Sequence, residues 1–293
     1  MPPEGSGLPE PAASTRSARR ALRAELDLCF AADGTGRSYI KRQFAAYPFH
    51  VCRALYQDPE QPGLATLYVQ SCSGGIYEDD QLTTTLAVEA GARVHVSTQA
   101  ATVVHSMPSS HASQRVSLAC GDGAYVEFLP DPQILFPRSR FRSEIDIRLG
   151  EKSVAVVSDA FLTHDPNGGS DVFDAYFNEI AVKDAGGELL AVDRLKVRGE
   201  SFRKAAPGTF GSFKAQATMI VAGRDLAASP IVAGLKRLGS DGATLGVSEL
   251  PHDAGLIVRV LAADGCALER MMHETWSNVR LALMGAPPRR RRK

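Results

Sequence analysis

Phe141-Arg142-Ser143-Glu144-Ile145-Asp146-Ile147-Arg148-Leu149 decides the fold class. Phe141, Ser143, Ile145, Ile147 and Leu149 share one face of an extended chain, and Arg142, Glu144, Asp146 and Arg148 share the other. Side chains alternate across a strand, so this two-residue period marks a half-buried strand with one wet face. The pattern repeats on both sides. Leu82, Thr84, Leu86 and Val88 oppose Thr83, Thr85 and Glu89, and Val116, Leu118 and Cys120 alternate in the same way. Phe213, Ala215, Ala217, Met219 and Val221 continue it.

A recurrence sits inside this strand-rich body. Glycine turns at Gly91, Gly121–Gly123 and Gly150 fall about 30 residues apart, a spacing typical of repeat architectures. Each precedes a similar strand: Val94-His95-Val96-Ser97-Thr98, Tyr125-Val126-Glu127-Phe128-Leu129 and Val154-Ala155-Val156-Val157-Ser158. One turn and one strand per period suggest stacked β coils, although an antiparallel meander also produces regular glycine turns. Two helices are predicted in the C-terminal third. Ser229 caps the first, Pro230 opens it, Ile231, Leu235 and Leu238 form its stripe and Gly239 ends it. The second runs from about Cys266 to Met284, with Leu268, Met272, Trp276, Val279 and Leu283 at helical spacing and Gly285 as its stop. Such a stripe is expected to dock on a sheet. The predicted fold is therefore mostly β, with solenoid-like or β-helix-like sheets and two C-terminal helices.

Composition narrows the function. Of 293 residues, 44% are hydrophobic and 23% charged, which suits a protein with a packed core. The formal net charge is zero, so no whole-chain field draws it to nucleic acid. No apolar run reaches the length needed to span a bilayer. Residues 1–20, with Pro2, Pro3, Pro9, Pro11, Arg16, Arg19 and Arg20, lack the apolar segment of a secretory signal and are expected to form a disordered leader. A cytoplasmic location follows as the expectation. Residues 21–286 are expected to form one β-rich domain, and 287–293, ending in Arg289-Arg290-Arg291-Arg292-Lys293, a basic tail. Cys29, Cys52, Cys72, Cys120 and Cys266 form no CxxC motif and are expected to be reduced, partly buried thiols.

No catalytic signature emerges. The GxxxxGK[ST] loop is absent, and Gly34-Thr35-Gly36 lacks a third glycine. GxSxG is absent, and His273-Glu274 has no histidine four positions on. His95, His105 and His111 lie near enough in sequence to gather around a metal, but no carboxylate stands at a diagnostic spacing to orient them. Glu78-Asp79-Asp80 follows Gly74-Gly75 and either receives a cation or a basic partner, or caps a turn between strands.

The order of segments resembles a known family. Ser73-Gly74-Gly75-Ile76-Tyr77-Glu78-Asp79-Asp80-Gln81-Leu82 is similar to the glycine-glycine…glycine-aspartate-x-leucine segment of the UreD (UreH) family of urease accessory proteins. Gly91-Ala92 and Val96-Ser97-Thr98-Gln99-Ala100-Ala101-Thr102 resemble its threonine-rich strand, and Glu127-Phe128-Leu129-Pro130-Asp131-Pro132-Gln133-Ile134-Leu135-Phe136 its E-x-L-P segment. Ser139-Arg140-Phe141, Phe173, Asn178 and Asp193-Arg194 follow in order, and Glu269 to Arg280 with Gly285 resemble its last helix. Asp79 stands where the family has glycine, His164-Asp165 where it has glycine-arginine, and the basic tail replaces its usual ending.

The resemblance implies a solenoid-like scaffold, not an enzyme. It implies partnership with apo-urease and with UreF- and UreG-like proteins, without nucleic acid or membrane, and a role in delivering nickel without a tightly bound cofactor. A path for a hydrated dication needs oxygen groups that do not cage it. Asp80, Thr98, Gln99 and Glu127 are the residues expected to line such a path or its mouth, unless the Thr-Gln run only packs within a coil. The alternative function is a binding module that kept the fold and lost the urease role, with Arg289–Lys293 serving another acidic partner.

Overall fold

A computed structural model describes residues 21–205, 208–224, 226–239 and 242–289. The predicted leader 1–20 and tail residues 290–293 lie outside the described residues. In chain order the first strands are β1 (Arg23–Ala32), β2 (Ser38–Ala45), β3 (Phe49–Val51), β4 (Ala65–Ser71), β5 (Gln81–Val88), β6 (Arg93–Thr98) and β7 (Thr102–Val104). They are followed by β8 (Ala112–Cys120), β9 (Tyr125–Phe128), β10 (Gln133–Leu135), β11 (Arg140–Leu149), β12 (Val154–Thr163), β13 (Ala175–Lys183) and β14 (Leu189–Arg198). The C-terminal third holds α1 (Gly199–Arg203), β15 (Ala215–Ala222), α2 (Ala228–Leu235), β16 (Ala243–Glu249), β17 (Gly255–Ala262) and α3 (Gly265–Met284).

The recurrence is a stacked coil. In the first sheet, of seven strands, β1, β5, β8, β11 and β13 run parallel, with antiparallel β2 and β14 at the edges. In the second, β4, β6, β9 and β12 run parallel, and antiparallel β15, β17 and β16 extend it. The chain alternates between sheets, so each period adds one strand to each. A meander would give antiparallel neighbours instead. The glycine turns stack directly: the amide of Gly150 donates to the carbonyl of Cys120, and that of Gly121 to Val88, each at 2.7 Å. A Cβ on Gly150 would stand 2.7 Å from the Cys120 oxygen, so glycine is required by close approach of the next coil.

The second sheet is apolar on both faces. Val94, Val96, Val126 and Val157 pack towards the first sheet, while Val156, Ala160, Met219 and Val258 pack under α2 and α3. The Met and Trp stripe of α3 does dock there, through Leu268, Met271, Trp276 and Val279. Asp264 caps α3 by accepting from the Ala267 amide at 2.8 Å, and Gly285 closes it in the left-handed conformation. The first predicted helix starts and ends earlier than expected. Ser229 and Pro230 lie inside it, Ala227 stands at the cap position without a side-chain bond, and the helix ends at Leu235. Within the helix, Gly234 meets the Asn278 side chain of α3 so closely that a Cβ would clash at 1.9 Å.

Candidate functional site

The outer face of the second sheet carries a buried polar cluster beneath α3. Alternation on β9 puts Tyr125, Glu127 and Leu129 on the helix side, and alternation on β6 puts His95 and Ser97 beside them. Glu127 has no exposed surface. Its Oε1 accepts from Tyr125 Oη at 2.7 Å, Trp276 Nε1 at 2.8 Å and Arg280 Nε at 2.8 Å. Its Oε2 meets Arg280 Nη2, and His95 Nδ1 at 2.8 Å. Arg280 also pairs with buried Asp58, and the His95 ring stacks on Trp276. Burial alone would push the Glu127 carboxyl up. The hydrogen bonds and charges of Arg280 and His95 outweigh it and hold the group well below the usual carboxylate range. This cluster fastens the last helix to the third coil.

A second polar feature lies between the sheets. Along β11 the inward residues run Phe141, Ser143, Ile145; along β13, Tyr176, Asn178, Ile180; along β12, Val157, Asp159, Phe161. In each case one polar residue separates two apolar clusters, one holding Ile145, Ile180 and Val157 and the other Phe141, Tyr176 and Phe161. Ser143 neighbours Asn178, Asp159 neighbours Thr218 of β15, and Thr218 neighbours Arg259 of β17. The result is one polar layer crossing the sandwich. It reaches the surface where Arg259 bonds both Thr218 and Asp193 of β14.

Asp159, 4% exposed, is the charge centre of the layer. Its oxygens accept from Ser143 Oγ at 2.6 Å and from Tyr176 Oη, and no cation pairs with it among the described residues. Burial raises its pKa against the lowering effect of the two hydroxyls. Asn178 is 1% exposed, and neither its amide oxygen nor its nitrogen has a hydrogen-bond partner among the described residues. Gln216 Nε2 donates to Thr218 at 2.9 Å, while its oxygen has no such partner. Buried polar atoms in this condition favour water or a hydrated ion as a guest.

The four residues expected at the path do not converge. Thr98 follows Val94 and Val96 on the inward face of β6, which places it at the level of the polar layer, and its Oγ1 accepts from the Asp131 amide at 2.8 Å. Gln99 is exposed just beyond. Asp80 immediately precedes β5 of the other sheet, and its carboxylate accepts from the amides of Leu22 and Tyr77, both at 2.9 Å. Glu127 stands on the opposite face of the second sheet. Of the acidic trio, Glu78 likewise accepts from the backbone amides of Ser109 and Ser110 in the loop before β8, so two of the three carboxylates are held by backbone amides. The histidines separate: His95 is buried under α3, and His105 stacks on Tyr77 with Nε2 at 2.9 Å from the Gly74 carbonyl. No group of three His, Cys, Asp or Glu side chains able to hold a metal occurs among the described residues. All five cysteines are free thiols, with Cys29 and Cys120 buried and Cys52, Cys72 and Cys266 exposed; burial pushes Cys120 up to about 12. No helix among the described residues is long and apolar enough to cross a membrane.

A family model described as UreD urease accessory protein matches residues 22–293. The chain belongs to the UreD family of urease accessory proteins. It is 40% identical over 268 residues to Urease accessory protein UreD 1 of Pseudomonas syringae pv. syringae (strain B728a), covering 91% of this chain and 94% of that one. It is 38% identical to Urease accessory protein UreD 1 of Methylorubrum extorquens (strain PA1), covering 98% of each. An archaeal relative, Urease accessory protein UreD of Haloarcula marismortui (strain ATCC 43049 / DSM 3752 / JCM 8966 / VKM B-1809), is 30% identical over 89% of this chain and 87% of its own. For a UreD protein the Asp79 departure is conformationally mild. Asp79 adopts φ of 65°, the left-handed region glycine favours and aspartate tolerates, so the turn survives the larger side chain.

In the sequence alone Ser143, Asn178 and Arg280 stand out only as strand-pattern or family-motif residues with no site role, and Asp159 does not stand out at all. A signal did exist for three of them: a polar residue in the middle of an inward apolar row, at the same level of successive strands. Reading it requires the register between coils.

Proposed function

We propose that this UreD protein is a cytoplasmic scaffold that assists nickel insertion into apo-urease in complex with UreF- and UreG-like accessory proteins, with nickel as cargo passing along the polar layer between the sheets. The supporting observation is that layer: a carboxylate, hydroxyls and amides, one of them without a hydrogen-bond partner among the described residues, running through an otherwise apolar sandwich to its surface. Oxygen groups spaced along a path exchange with a hydrated dication's water without the multidentate grip that would trap it. Thr98 contributes to the layer and Gln99 to its mouth. Asp80 and Glu127 act at its borders, the first by tying the chain's start to the coil and the second by holding α3. Nucleotide hydrolysis falls to the UreG-like partner, since this sequence carries no phosphate loop.

The test is Asn178→Leu, which puts an isobutyl group with the same branching and heavy-atom count in the layer in place of the amide. Urease assembled with the variant is expected to hold at least tenfold less nickel, with capture of apo-urease and the UreF-like protein unchanged. Unchanged nickel content would move the path elsewhere. Failure of the wild-type chain to capture either protein would defeat the scaffold role itself.

A further inference from the structure

An open sheet has edges, and their unpaired amides and carbonyls invite another strand. The first sheet is guarded by charge. Its outer face is a ladder of ion pairs: Asp27 with Arg42, Glu144 with Arg115 and Arg142, Asp146 with Lys183, Glu179 with Arg194. Its edge strands carry Lys41 and Arg42 on β2, and Arg194, Lys196 and Arg198 on β14. In the second sheet, β3 and β7 are only three residues each. The edge strand β16 has no such protection. It pairs with β17 alone among the described strands. It runs seven residues, Ala243-Thr244-Leu245-Gly246-Val247-Ser248-Glu249, without a lysine, arginine or proline and without a bulge.

The hydrogen bonds at its two ends fix which backbone groups are free. The Ala263 amide donates to the Gly242 carbonyl at 2.7 Å, and the Leu250 amide to the Gly255 carbonyl at 2.8 Å. Even-numbered positions therefore turn their polar backbone groups to β17. Antiparallel pairing alternates, so the amides and carbonyls of Ala243, Leu245, Val247 and Glu249 point outwards from the sheet edge. The side chains of these odd-numbered residues lie on the α2 side, where Leu245 and Val247 are partly buried against the core. Thr244, Gly246 and Ser248 are exposed on the other face.

This edge is complementary to itself. With a second copy placed antiparallel about a two-fold axis at Gly246, Ala243 faces Glu249 of that copy and Leu245 faces its Val247, and both pairs recur beyond the axis. Every outward amide then meets an outward carbonyl, and the apolar side chains meet on the α2 side. Gly246 meets itself in a non-hydrogen-bonded pair, where Cα atoms approach to about 4.5 Å, and brings no side chain to obstruct it. Charge agrees with this register. Lys236, at the end of α2, lines one hollow with Ala243 and Thr244. Glu249 of the second copy arrives opposite Ala243 on that same side. Lys236 and Glu249 are exposed, and neither forms an ion pair among the described residues. The two-fold axis makes the new pair twice, while the two Glu249 carboxylates stay about 20 Å apart, beyond a Debye length.

We propose that this chain forms a two-fold dimer by antiparallel pairing of β16 with β16 of a second copy, which joins the two ten-stranded sheets edge to edge. The dimer is independent of the cargo path proposed above.

The experiment is sedimentation equilibrium on the full-length chain. The wild type is expected at twice the chain mass. Glu249→Lys turns two attractions into two repulsions at an exposed position and is expected to weaken association at least tenfold at low salt. The charge swap Lys236→Glu/Glu249→Lys is expected to restore it. Register is read from disulfide formation under diamide in Gly246→Cys, where an added Cβ meets nothing within 4 Å. Peptide mass spectrometry, which separates this link from any through exposed Cys52, Cys72 or Cys266, is expected to find position 246 joined to its own counterpart. Thr244→Cys, which would face Ser248, is expected to link to its counterpart at least tenfold less. A wild-type monomer overturns the proposal, as does a dimer that Glu249→Lys leaves unchanged or that the charge swap fails to restore. A link through Thr244→Cys in place of Gly246→Cys overturns it too. So does a chain that stays monomeric and whose β16 amides gain hydrogen-exchange protection only when the UreF-like protein or apo-urease is added, because the edge then takes a strand of another protein.

Discussion

Glu127 and Asp159 are both buried carboxylates on neighbouring parallel strands of one sheet, and they behave in opposite ways. Glu127 faces α3 and is met by Arg280, His95, Tyr125 and Trp276, so its proton is driven off. Asp159 faces the first sheet and is met by two hydroxyls and, among the described residues, no cation, so burial raises its pKa. Burial is common to both and the partners are not; the partners decide the charge. The difference also separates two jobs. A carboxylate saturated by five donor atoms is a fastening. A carboxylate in a layer with an amide that has no hydrogen-bond partner among the described residues has capacity left for a guest.

The sharpest way to break the comparison is Arg280→Ala. It leaves Glu127 and Asp58 buried without their cation, and the cost should be about 3–5 kcal/mol by urea unfolding. A loss under about 1 kcal/mol would mean the cluster is not a fastening. The pH dependence of stability should differ in sign between the two sites. The Glu127 contribution is present above the unfolded carboxylate value of about 4.3 and is lost as pH falls towards its depressed folded value, so Glu127→Gln should remove an acid-limb decline seen in the wild type. Asp159, with its raised folded value, favours the folded state below about 3.9, and that contribution is lost as pH rises through the folded value. Asp159→Asn should therefore flatten the opposite slope, and matching slopes in the two variants would refute the assignment. At neutral pH, Asp159→Asn should lie within about 1 kcal/mol of the wild type or above it, because the replacement removes a desolvated charge and keeps one acceptor. The smallest effect belongs to the exposed ladder, where Glu144→Gln should cost about 1 kcal/mol or less and fade with salt.

The strands were legible because each carries its period locally. Residues 141–149 alternate without help from any other segment, and the glycine turns announce the coil length. The two C-terminal helices showed for the same reason, although Ser229 and Pro230 suggested a start one to two residues later than Ala228, where the helix begins. The polar cluster under α3 was half visible. Glu127 could be singled out as a carboxylate in a strand, but Arg280 lies 153 positions away, and its partnership depends on where α3 lands.

The sequence by itself determined that this protein is β-rich, that its coils recur, that it lacks a nucleotide loop, and which family it resembles, since all of these are properties of residue type and spacing along one chain. Only the tertiary structure decided that the strands of successive coils run parallel, that Glu127 and Thr98 point to opposite faces, and that Ser143, Asn178, Asp159 and Thr218 form one layer. The physical reason is register: each strand fixes which of its side chains point inward, but the level at which inward side chains of different coils meet is set by hydrogen-bonded stacking between segments distant in the chain.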